Sequence, residues 1–444
     1  MKKRDYCDGI NRRSVLQAGL AGIIGLSVPE LLRLKAHSAA REGATPTNDT
    51  AVIYLEMAGG PSQHSTYDPK PDAPEEYRGP LGTVQCNVPG IRLSQFMDQQ
   101  ASIMDKLAVI RSIHHDSGSH GTSSHLTQTG YYLQNRQNRT NEMPSSGSIT
   151  AQLRGPNRPG IPAYVAIPST TRYGNSAYLG GGFNPYSPGN YSSRSNNFEA
   201  RNLTLARGLS LDQLEDRRGL LESFDNERQI MDSANVSGAM DQFNEQAFDM
   251  VTGDAARDAF DLTREDPRLR QRYDMDSRGM GQACLLARRL VERGVTFITV
   301  RMSLKGSWDD HRGIYDRMEA KGPFFDRAVA TLVQDLHDRG LARKVMVVAM
   351  GEFGRTPRVN GNAGRDHWGR VMSVLMAGGD LRTGQVVGSS DSNGAVPHSA
   401  PYRPENVLAM MYRHLGIDSA MTIPDPTGRP RYILEERGLI EELL

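Results

Sequence analysis

Cysteine and tryptophan are scarce in this chain, which has three cysteines and two tryptophans among its 444 residues. Cys7 lies close to the N-terminus, so only Cys86 and Cys284 remain for the rest of the protein. A fold held together by several disulfides is therefore excluded. A single Cys86–Cys284 bridge is permitted in an oxidising compartment, although two cysteines so far apart are more typically separate buried thiols. The sequence leaves this pairing open.

An excess of either charge and a long apolar run are also missing. The chain has 52 basic and 51 acidic residues, and residues 1–40 hold seven and three of them, which leaves 45 against 48. No basic patch argues for a nucleic acid as partner. After residue 40 no apolar segment approaches the roughly 20 residues that cross a bilayer. The mature chain is therefore predicted to lack an integral membrane segment, and its length suits a large α/β enzyme.

The first 40 residues have the pattern of an export signal. Basic residues open the chain, residues 11–17 (NRRSVLQ) contain a twin arginine, and a mildly apolar stretch follows over residues 18–28. Small residues at 36–40 suit cleavage. A membrane anchor is the weaker alternative, because the apolar stretch is short and rich in glycine. We therefore expect export by the twin-arginine route, to the periplasm or as a secreted protein.

Short apolar segments alternate with helical patterns along the remaining chain. The predicted strands cover residues 51–55, 107–113, 163–167, 295–300, 345–350 and 371–377. The predicted helices cover residues 211–231, 279–292, 324–339 and 405–414. This alternation predicts an α/β fold in residues 41–444, with a mostly parallel central sheet and helices on both faces. A polar loop and a charged helical segment over residues 169–278 predict an insertion suited to substrate selection.

Three polar motifs, SWDDH, GEFGRTP and GRDHW, lie close to predicted strands in the last third of the chain. They contain four candidate ligands for a divalent metal, namely Asp309, His311, Glu352 and His367. Carboxylate oxygens and neutral imidazoles suit such an ion. Ligands of open α/β sheets bind at the carboxyl ends of strands, which is where these motifs are expected.

Each of these candidates has a structural alternative. Asp309 and His311 alternate on an extended backbone and can face one centre, yet a surface ion pair or a helix cap is equally compatible with them. A single histidine before a strand, as at His367, is more often structural. Glu352 ends an apolar strand, where an acid is costly unless it is paired or metal-bound. Its alternative is an ion pair with Arg355 or Arg370.

A second group of candidates opens a predicted helix over residues 123–128. Ser119 and Thr122 lie among small residues at its start, where free backbone N–H groups favour an anion such as phosphate or sulfate. The alternative is a turn that only caps the helix. Arg355 and Arg365 are predicted to hold the same oxyanion bidentately.

In combination these motifs resemble the alkaline-phosphatase-like superfamily, which includes sulfatases and phosphodiesterases. Within it the chain closely resembles the exported, sulfatase-like bacterial proteins of domain of unknown function 1501 (DUF1501), over nearly everything after the signal. The matching segments are GGPSQ at 59–63, YDPKP at 67–71, His120-Gly121 with Thr129-Gly130, Trp308-Asp309 with His311, residues 351–357, residues 364–368 and LGID at 415–418. The resemblance implies the three-layer fold of the superfamily.

The resemblance assigns one metal site to Asp309, His311 and His367. The nucleophile of the superfamily is a Ser, Thr or Cys nine residues before the Thr of Thr-Gly, and this position falls on His120. His120 is therefore the candidate catalytic base or covalent nucleophile. A polysaccharide sulfatase fits less well, because such enzymes use a modified Cys or Ser in a Cys/Ser-x-Pro-x-Arg pattern.

The second metal site of the superfamily is only partly present. Ala58 stands where an Asp ends the first strand, with Glu56 and Asp68 nearby, and Glu352-Phe353 replaces an Asp-His pair. Three interpretations stay open. They are a one-metal hydrolase with His120 as base, an altered two-metal site that uses Glu352, His120 and Asp68, and a binding protein with a relict metal site.

Among these interpretations we favour an exported metal-dependent hydrolase of phosphate or sulfate esters with an atypical nucleophile position. Its substrate is expected to be a small molecule or a polysaccharide ester. The alternative is a catalytically inactive binding or scaffold protein at the cell envelope, with envelope proteins as partners. Zinc fits the histidine content of the site, whereas calcium, magnesium or manganese fit its carboxylates.

Overall fold

The computed structural model describes residues 49–192, 197–198, 258–273, 279–303 and 306–444. The predicted export signal, the predicted helix over residues 211–231 and most of the predicted insertion beyond residue 198 lie outside the described residues. These three features stay predictions.

Seven strands form the central sheet. They are β1 (Ala51–Glu56), β2 (Leu107–Ile113), β3 (Tyr164–Ile167), β4 (Phe297–Arg301), β5 (Val345–Met350), β6 (Met372–Gly378) and β7 (Gln385–Val387). Their order is β7-β2-β6-β5-β1-β4-β3, and every pair is parallel except the two made by β6. Strands such as VMVVAM in β5 are apolar along their whole length because both faces of a parallel sheet are covered. The predicted, mostly parallel sheet is confirmed.

Helices cover both faces of this sheet. The longer helices are α1 (His120–Thr129), α2 (Ser146–Leu153), α3 (Met280–Arg293), α4 (Ile314–Asp338) and α5 (Pro404–His414). Side chains of α3 and α4 share one buried cluster with Ile53 and Leu55, and those of α2 and α5 share a second cluster with Val52 and Tyr54. Because neighbouring residues of a strand point to opposite faces, β1 separates two core layers. The predicted three-layer α/β architecture is confirmed.

Shorter elements connect these layers. The short helices are Glu75–Arg78, Asp98–Ser102 and Pro267–Arg272, and the 3₁₀ turns are Met104–Lys106, Ala177–Leu179, Gly181–Phe183, Leu262–Arg264 and Glu441–Leu443. Five two-stranded ribbons pair Thr83–Gln85 with Arg92–Ser94, Tyr191–Ser192 with Asn197–Phe198, Gly354–Arg355 with His367–Trp368, Ser389–Ser390 with Pro397–Ser399, and Thr422–Pro424 with Pro430–Tyr432. The ribbon of Gly354–Arg355 and His367–Trp368 will be called the site ribbon.

Helix α4 begins ten residues earlier than the sequence predicts and contains Pro323 in its interior. Proline removes one helical N–H and usually starts or breaks a helix. Here the turns before it are held independently, because Ile314 and Met318 are buried in the core. Lys321 is also buried, and its ammonium group donates to both carboxylate oxygens of Asp310 at 2.7 Å. These contacts outweigh the local signal of the proline.

The structure also bears on the cysteines and on helix length. Cys86 and Cys284 are separate free thiols, so the predicted alternative of two unpaired cysteines is the one observed.

Within the described ranges, none of the helices has the length and apolar character needed to cross a bilayer.

The carboxyl ends of six strands and the beginning of β6 meet at one edge of the sheet. The chain leaves this edge after β2 toward α1, after β4 toward Asp309, and after β5 toward Glu352. His367 of the site ribbon arrives there just before β6. Residues that are widely separated along the chain are thereby placed beside one another, as is usual for the ligand sites of open α/β sheets.

Candidate metal centre

Three polar side chains meet at the carboxyl edge of the sheet. They are His120, the first residue of α1, Asp309 after β4, and His367 in the site ribbon. Their ligand atoms all lie within 4.8 Å of one another. Asp309 Oδ1 is 3.1 Å from His367 Nε2, and Asp309 Oδ2 is 3.3 Å from His120 Nε2. Two imidazoles and a carboxylate at this spacing form a donor set that suits a divalent metal.

His311 extends this cluster. Its Nε2 lies 2.9 Å from His367 Nε2 and 3.1 Å from Asp309 Oδ1. The structure therefore brings together three of the four predicted metal ligands, Asp309, His311 and His367, and places the predicted catalytic residue His120 beside them.

Hydrogen bonds on the outer side of each ring determine where its lone pair points. In each ring Nδ1 faces an oxygen acceptor, at 2.6 Å for His120 and Glu352 Oε1, 2.8 Å for His311 and Asp366 Oδ1, and 2.8 Å for His367 and the Gly118 carbonyl. Because these oxygens accept, each Nδ1 carries the hydrogen, and each Nε2 of a neutral imidazole presents a lone pair. Three lone pairs and one carboxylate therefore converge, an arrangement that a cation stabilises and that is typical of metal-ligating histidines.

Glu352, the fourth predicted ligand, lies behind this cluster. Its two carboxylate oxygens accept the Gly59 N–H at 2.9 and 3.0 Å, and Oε1 also accepts the hydrogen of His120 Nδ1. The side chain is buried. The hydrogen bond to Glu352 raises the pKa of His120, because the carboxylate stabilises the imidazolium form. Glu352 is thus placed to orient His120.

Arg355, predicted to bind an oxyanion, is fully buried. Its guanidinium group donates to Asp309 Oδ1 at 2.5 Å and to the backbone carbonyls of Gly59, Gly60, Trp308 and Arg365. Burial acts to raise the pKa of Asp309, but the hydrogen bond and charge of Arg355 hold it well below its usual range. In this geometry Arg355 holds Asp309 in its ionised form instead of facing a substrate.

Arg365, also predicted to bind the anion, is buried in a different environment. Its guanidinium group donates to the carbonyls of Tyr77, Thr356 and Pro357. Burial lowers its pKa to about 10. In the described part of the chain no hydrogen bond joins this guanidinium to the histidine cluster, and its contacts fasten one loop to another.

The two predicted anion-binding residues of α1 lie beside His120. Ser119 is exposed and is the N-cap residue, although its side chain makes no capping hydrogen bond. Thr122 is only 6 % exposed, and its Oγ1 has no hydrogen-bond partner among the described residues. The start of α1 is therefore directly adjacent to the cluster, as the sequence predicts.

Asp68 does not join the cluster. It is fully buried and pairs with Lys70 at 3.0 Å and with Arg111 at 3.4 Å. The interpretation with two metals that relies on Asp68 therefore finds no support in this geometry.

The acid at the end of β1 is Glu56, which the sequence indicated only as a neighbour. It accepts a hydrogen bond from Gln128 Nε2 at 3.3 Å, and its other oxygen has no partner in the described structure. Burial, aided by the negative charge of Glu352, raises the pKa of Glu56 to about 8. The carboxyl group of Glu56, which lies close enough to Glu352 to feel its charge, is therefore largely protonated at neutral pH.

Comparison with known proteins identifies the family. A family profile described as "Protein of unknown function (DUF1501)" matches residues 49–444. The chain belongs to the DUF1501 family. The family predicted from the sequence motifs is confirmed, whereas no curated protein matches this DUF1501 chain.

Solved structures show a distant similarity to the DUF1501 chain. The structure of Ps i-CgsB shares 9 % identity, with 83 % of this chain and 72 % of that chain covered and a TM-score of 0.38. The PsFucS1 sulfatase from Pseudoalteromonas sp. shares 11 % identity, with 86 % of this chain and 70 % of that chain covered and a TM-score of 0.33. Similarity at this level says nothing about the reaction of the DUF1501 chain.

Sequence reasoning missed one charged residue beside the first turn of α1 in this DUF1501 protein. Arg172 lies in the loop after β3, and a Cβ atom built on Gly121 would be 3.2 Å from its guanidinium Nη2. The loop is rich in glycine, serine and asparagine, so no local pattern distinguishes Arg172. The available signal was its position after the carboxyl end of a parallel strand.

Proposed function

We propose that this DUF1501 protein is an exported hydrolase of phosphate or sulfate esters that works with one divalent metal ion, and that this ion is zinc. The observation that carries the proposal is the convergence of imidazole lone pairs on the ionised carboxylate of Asp309. Two histidines and one carboxylate are a common ligand set of catalytic zinc, whereas calcium and magnesium prefer oxygen ligands alone. The pattern of residues 1–40 supports export.

Asp309, His311 and His367 are the proposed ligands. A divalent ion bound there would polarise the ester and lower the pKa of a water molecule to about 7, which supplies hydroxide at neutral pH. Arg355 keeps Asp309 charged, and the acceptors at each Nδ1 keep both ligating rings oriented.

His120 is the proposed general base. Its Nε2 faces the cluster, and its Nδ1–H is held by Glu352, so the imidazolium formed when His120 takes a proton is stabilised by that carboxylate. His120 then returns the proton to the leaving oxygen. Because an imidazole occupies the position where a hydroxyl or thiol would attack, we assign the attack to water.

The alcohol part of the substrate is assigned to a surface cavity next to His311. The cavity has a volume of about 640 Å³ and is lined by Arg312, Gly313, Asp316, Arg317 and Asn362. Charged and amide side chains suit a hydrated group such as a saccharide or another polyol better than an apolar alcohol.

The test is the metal content and the esterase activity of the purified exported protein and its variants. We expect near-stoichiometric zinc and hydrolysis of a phosphate or sulfate ester in the wild type. Asp309→Ala and His367→Ala should each lose more than about 100-fold in metal affinity, since removing a ligand costs more than the 10- to 100-fold typical of its outer partners. His398→Ala is the matched control, because this histidine is exposed and makes no hydrogen bond or ion pair with the described residues of the cluster.

Normal metal content in both cluster variants would refute the ligand assignment. A wild type that is folded and stays metal-free when zinc, manganese or magnesium is added would instead favour the binding or scaffold protein.

A further inference from the structure

The first turn of α1 presents unpaired hydrogen-bond donors beside the cluster of His120, Asp309 and His367. The first helical bond there runs from the Ser123 N–H to the Ser119 carbonyl. The N–H groups of His120, Gly121 and Thr122 have no acceptor among the described residues. Such groups carry the positive end of the helix dipole. The unpartnered hydroxyl of Thr122, which is 6 % exposed, lies in the same turn.

Arg172 adds a cation to this turn. Its guanidinium group is partly buried and makes no hydrogen bond or ion pair with any described residue. It lies over the ring of Tyr173, whose centre is 5.0 Å from the guanidinium carbon. The guanidinium groups of Arg355 and Arg365, by contrast, each donate to several backbone carbonyls. A guanidinium group without an acceptor of its own keeps its N–H groups available for an anionic ligand.

The backbone next to Arg172 is held in an uncommon conformation. Tyr173 has a φ of +62°, in the left-handed region that non-glycine residues rarely occupy. Its hydroxyl donates to the Asn138 carbonyl at 2.9 Å, and its own carbonyl accepts from Asn141 Nδ2 at 2.6 Å. Its ring packs edge-on against His125 of α1 at 5.2 Å. These contacts maintain the strained residue and direct the loop toward α1.

Gly121 has no side chain, which leaves room for the Arg172 guanidinium group beside the first turn of α1. A Cβ atom at this position would lie 3.2 Å from Arg172 Nη2 and 3.3 Å from the Tyr173 hydroxyl. The preceding residue, His120, contacts Asp309 of the cluster at 3.3 Å. The Arg172 guanidinium group therefore lies beside the same turn of α1 that carries the unpartnered N–H groups and the proposed base.

We propose that Arg172 and the first turn of α1 form an oxyanion site that binds the non-bridging oxygens of a phosphate or sulfate group beside the metal cluster. The planar guanidinium group matches two such oxygens, and the backbone N–H groups reach another. This inference rests on the proposed function for its reaction, but binding of the anion is measurable without turnover. It also replaces Arg355 and Arg365 in the role that the sequence assigned to them.

The test is calorimetric titration of the intact, metal-loaded protein with inorganic phosphate and with sulfate. Arg172→Ala should weaken binding of at least one anion by roughly tenfold or more, the usual loss for a charged hydrogen bond. Arg172→Lys should bind with intermediate affinity, because lysine keeps the charge but not the fork. Arg343→Ala is the matched control, since Arg343 is an exposed arginine that pairs with Asp380. Metal content and thermal midpoint should be unchanged in all three variants.

Gly121→Ala provides a second test that leaves every charge in place. The added methyl group would enter the region between Arg172 and the helix, so phosphate or sulfate affinity should fall while the helix stays intact. Wild-type affinity in both Arg172→Ala and Gly121→Ala, or a wild type that binds neither anion, would overturn the oxyanion site. If His367→Ala keeps its metal while Arg172→Ala loses anion binding, the oxyanion site stands and the proposed hydrolase fails.

Discussion

At the scale of single residues, Glu56 couples the stability of the fold to pH. Burial at the end of β1 raises its pKa from an ordinary value of 4.5 to about 8. Between these values the folded protein binds a proton that the unfolded chain releases. The contribution of Glu56 to the free energy of unfolding is therefore fully present below pH 4.5 and declines as the pH rises to about 8.

Replacing Glu56 with glutamine should remove this decline. The free energy of unfolding of Glu56→Gln, measured relative to the wild type by urea denaturation, should increase by up to roughly 1.4 kcal/mol for each pH unit between about 5 and 8. The replacement keeps an oxygen that accepts from Gln128 and removes the titrating proton.

Glu319→Gln serves as the control, because this carboxylate is exposed on α4. A difference between Glu56→Gln and the wild type that is constant from pH 5 to pH 9 would show that Glu56 does not titrate in this range.

The positions of the proposed metal ligands were easier to predict from the sequence than the contacts of the arginines. Asp309, His311 and His367 follow or precede recognisable strands, and parallel strands bring such positions to one edge. The roles of Arg355 and Arg172 are decided by which guanidinium group is surrounded by backbone carbonyls. This depends on loops that are distant along the chain, so no local pattern reports it.

At the scale of elements, the loop that joins the two strands of the site ribbon is held tightly against the segment that carries His311. A Cβ atom on Gly364 would lie 2.1 Å from the carbonyl carbon of His311 and 2.2 Å from the Arg312 nitrogen. Backbone atoms cannot yield as a flexible side chain would. The close approach therefore fixes His311 relative to His367, which follows three residues after Gly364.

Gly364→Ala should force these two segments apart. We expect the free energy of unfolding to fall by about 2–4 kcal/mol, the upper range for overpacking, and zinc affinity to fall as His311 moves away from His367. Denaturation and metal titration measure the two effects.

The matched control is Gly361→Ala in the same loop. A Cβ atom on Gly361 would meet nothing within 4 Å, so its stability should stay within about 0.5 kcal/mol of the wild type. Equal stability and equal zinc affinity in both variants would contradict the proposed close approach.

The elements themselves were largely predictable. Buried parallel strands are continuous apolar runs, and every predicted strand is present within two residues of its expected bounds. The start of α4 was not predictable, because Pro323 signals a helix boundary. The buried ion pair of Lys321 and Asp310 stabilises the helix before the proline in spite of that signal. The pairing partner of that lysine lies eleven residues earlier, in a loop, where helical periodicity gives no information.

At the scale of the whole molecule, stability does not depend on a disulfide in the described residues. Burial raises the pKa of Cys86 to about 11 and that of Cys284 to about 12, so both thiols are protonated at neutral pH. A protonated thiol reacts poorly, and Cys284 is in addition buried whereas Cys86 is partly buried.

The mature protein, purified without reductant and then denatured, should titrate two thiols per chain. A reducing agent should shift its thermal midpoint by less than about 1 °C, because no covalent link is broken. The native protein should react with a thiol reagent much more slowly than the denatured one. Fewer than one thiol per denatured chain would show that the two cysteines pair.

The position of β6 in the sheet affects how the protein can form during synthesis. This strand lies between β2 and β5, yet it comes from residues 372–378, near the end of the chain. A nascent chain that has emerged from the ribosome as far as β5 can assemble β5, β1, β4 and β3. It still lacks β6, the strand that joins β2 and α1 to them. His120 and His367 therefore meet only after β6 has left the ribosome, so the proposed metal ion can find its complete set of ligands only late in synthesis or after it.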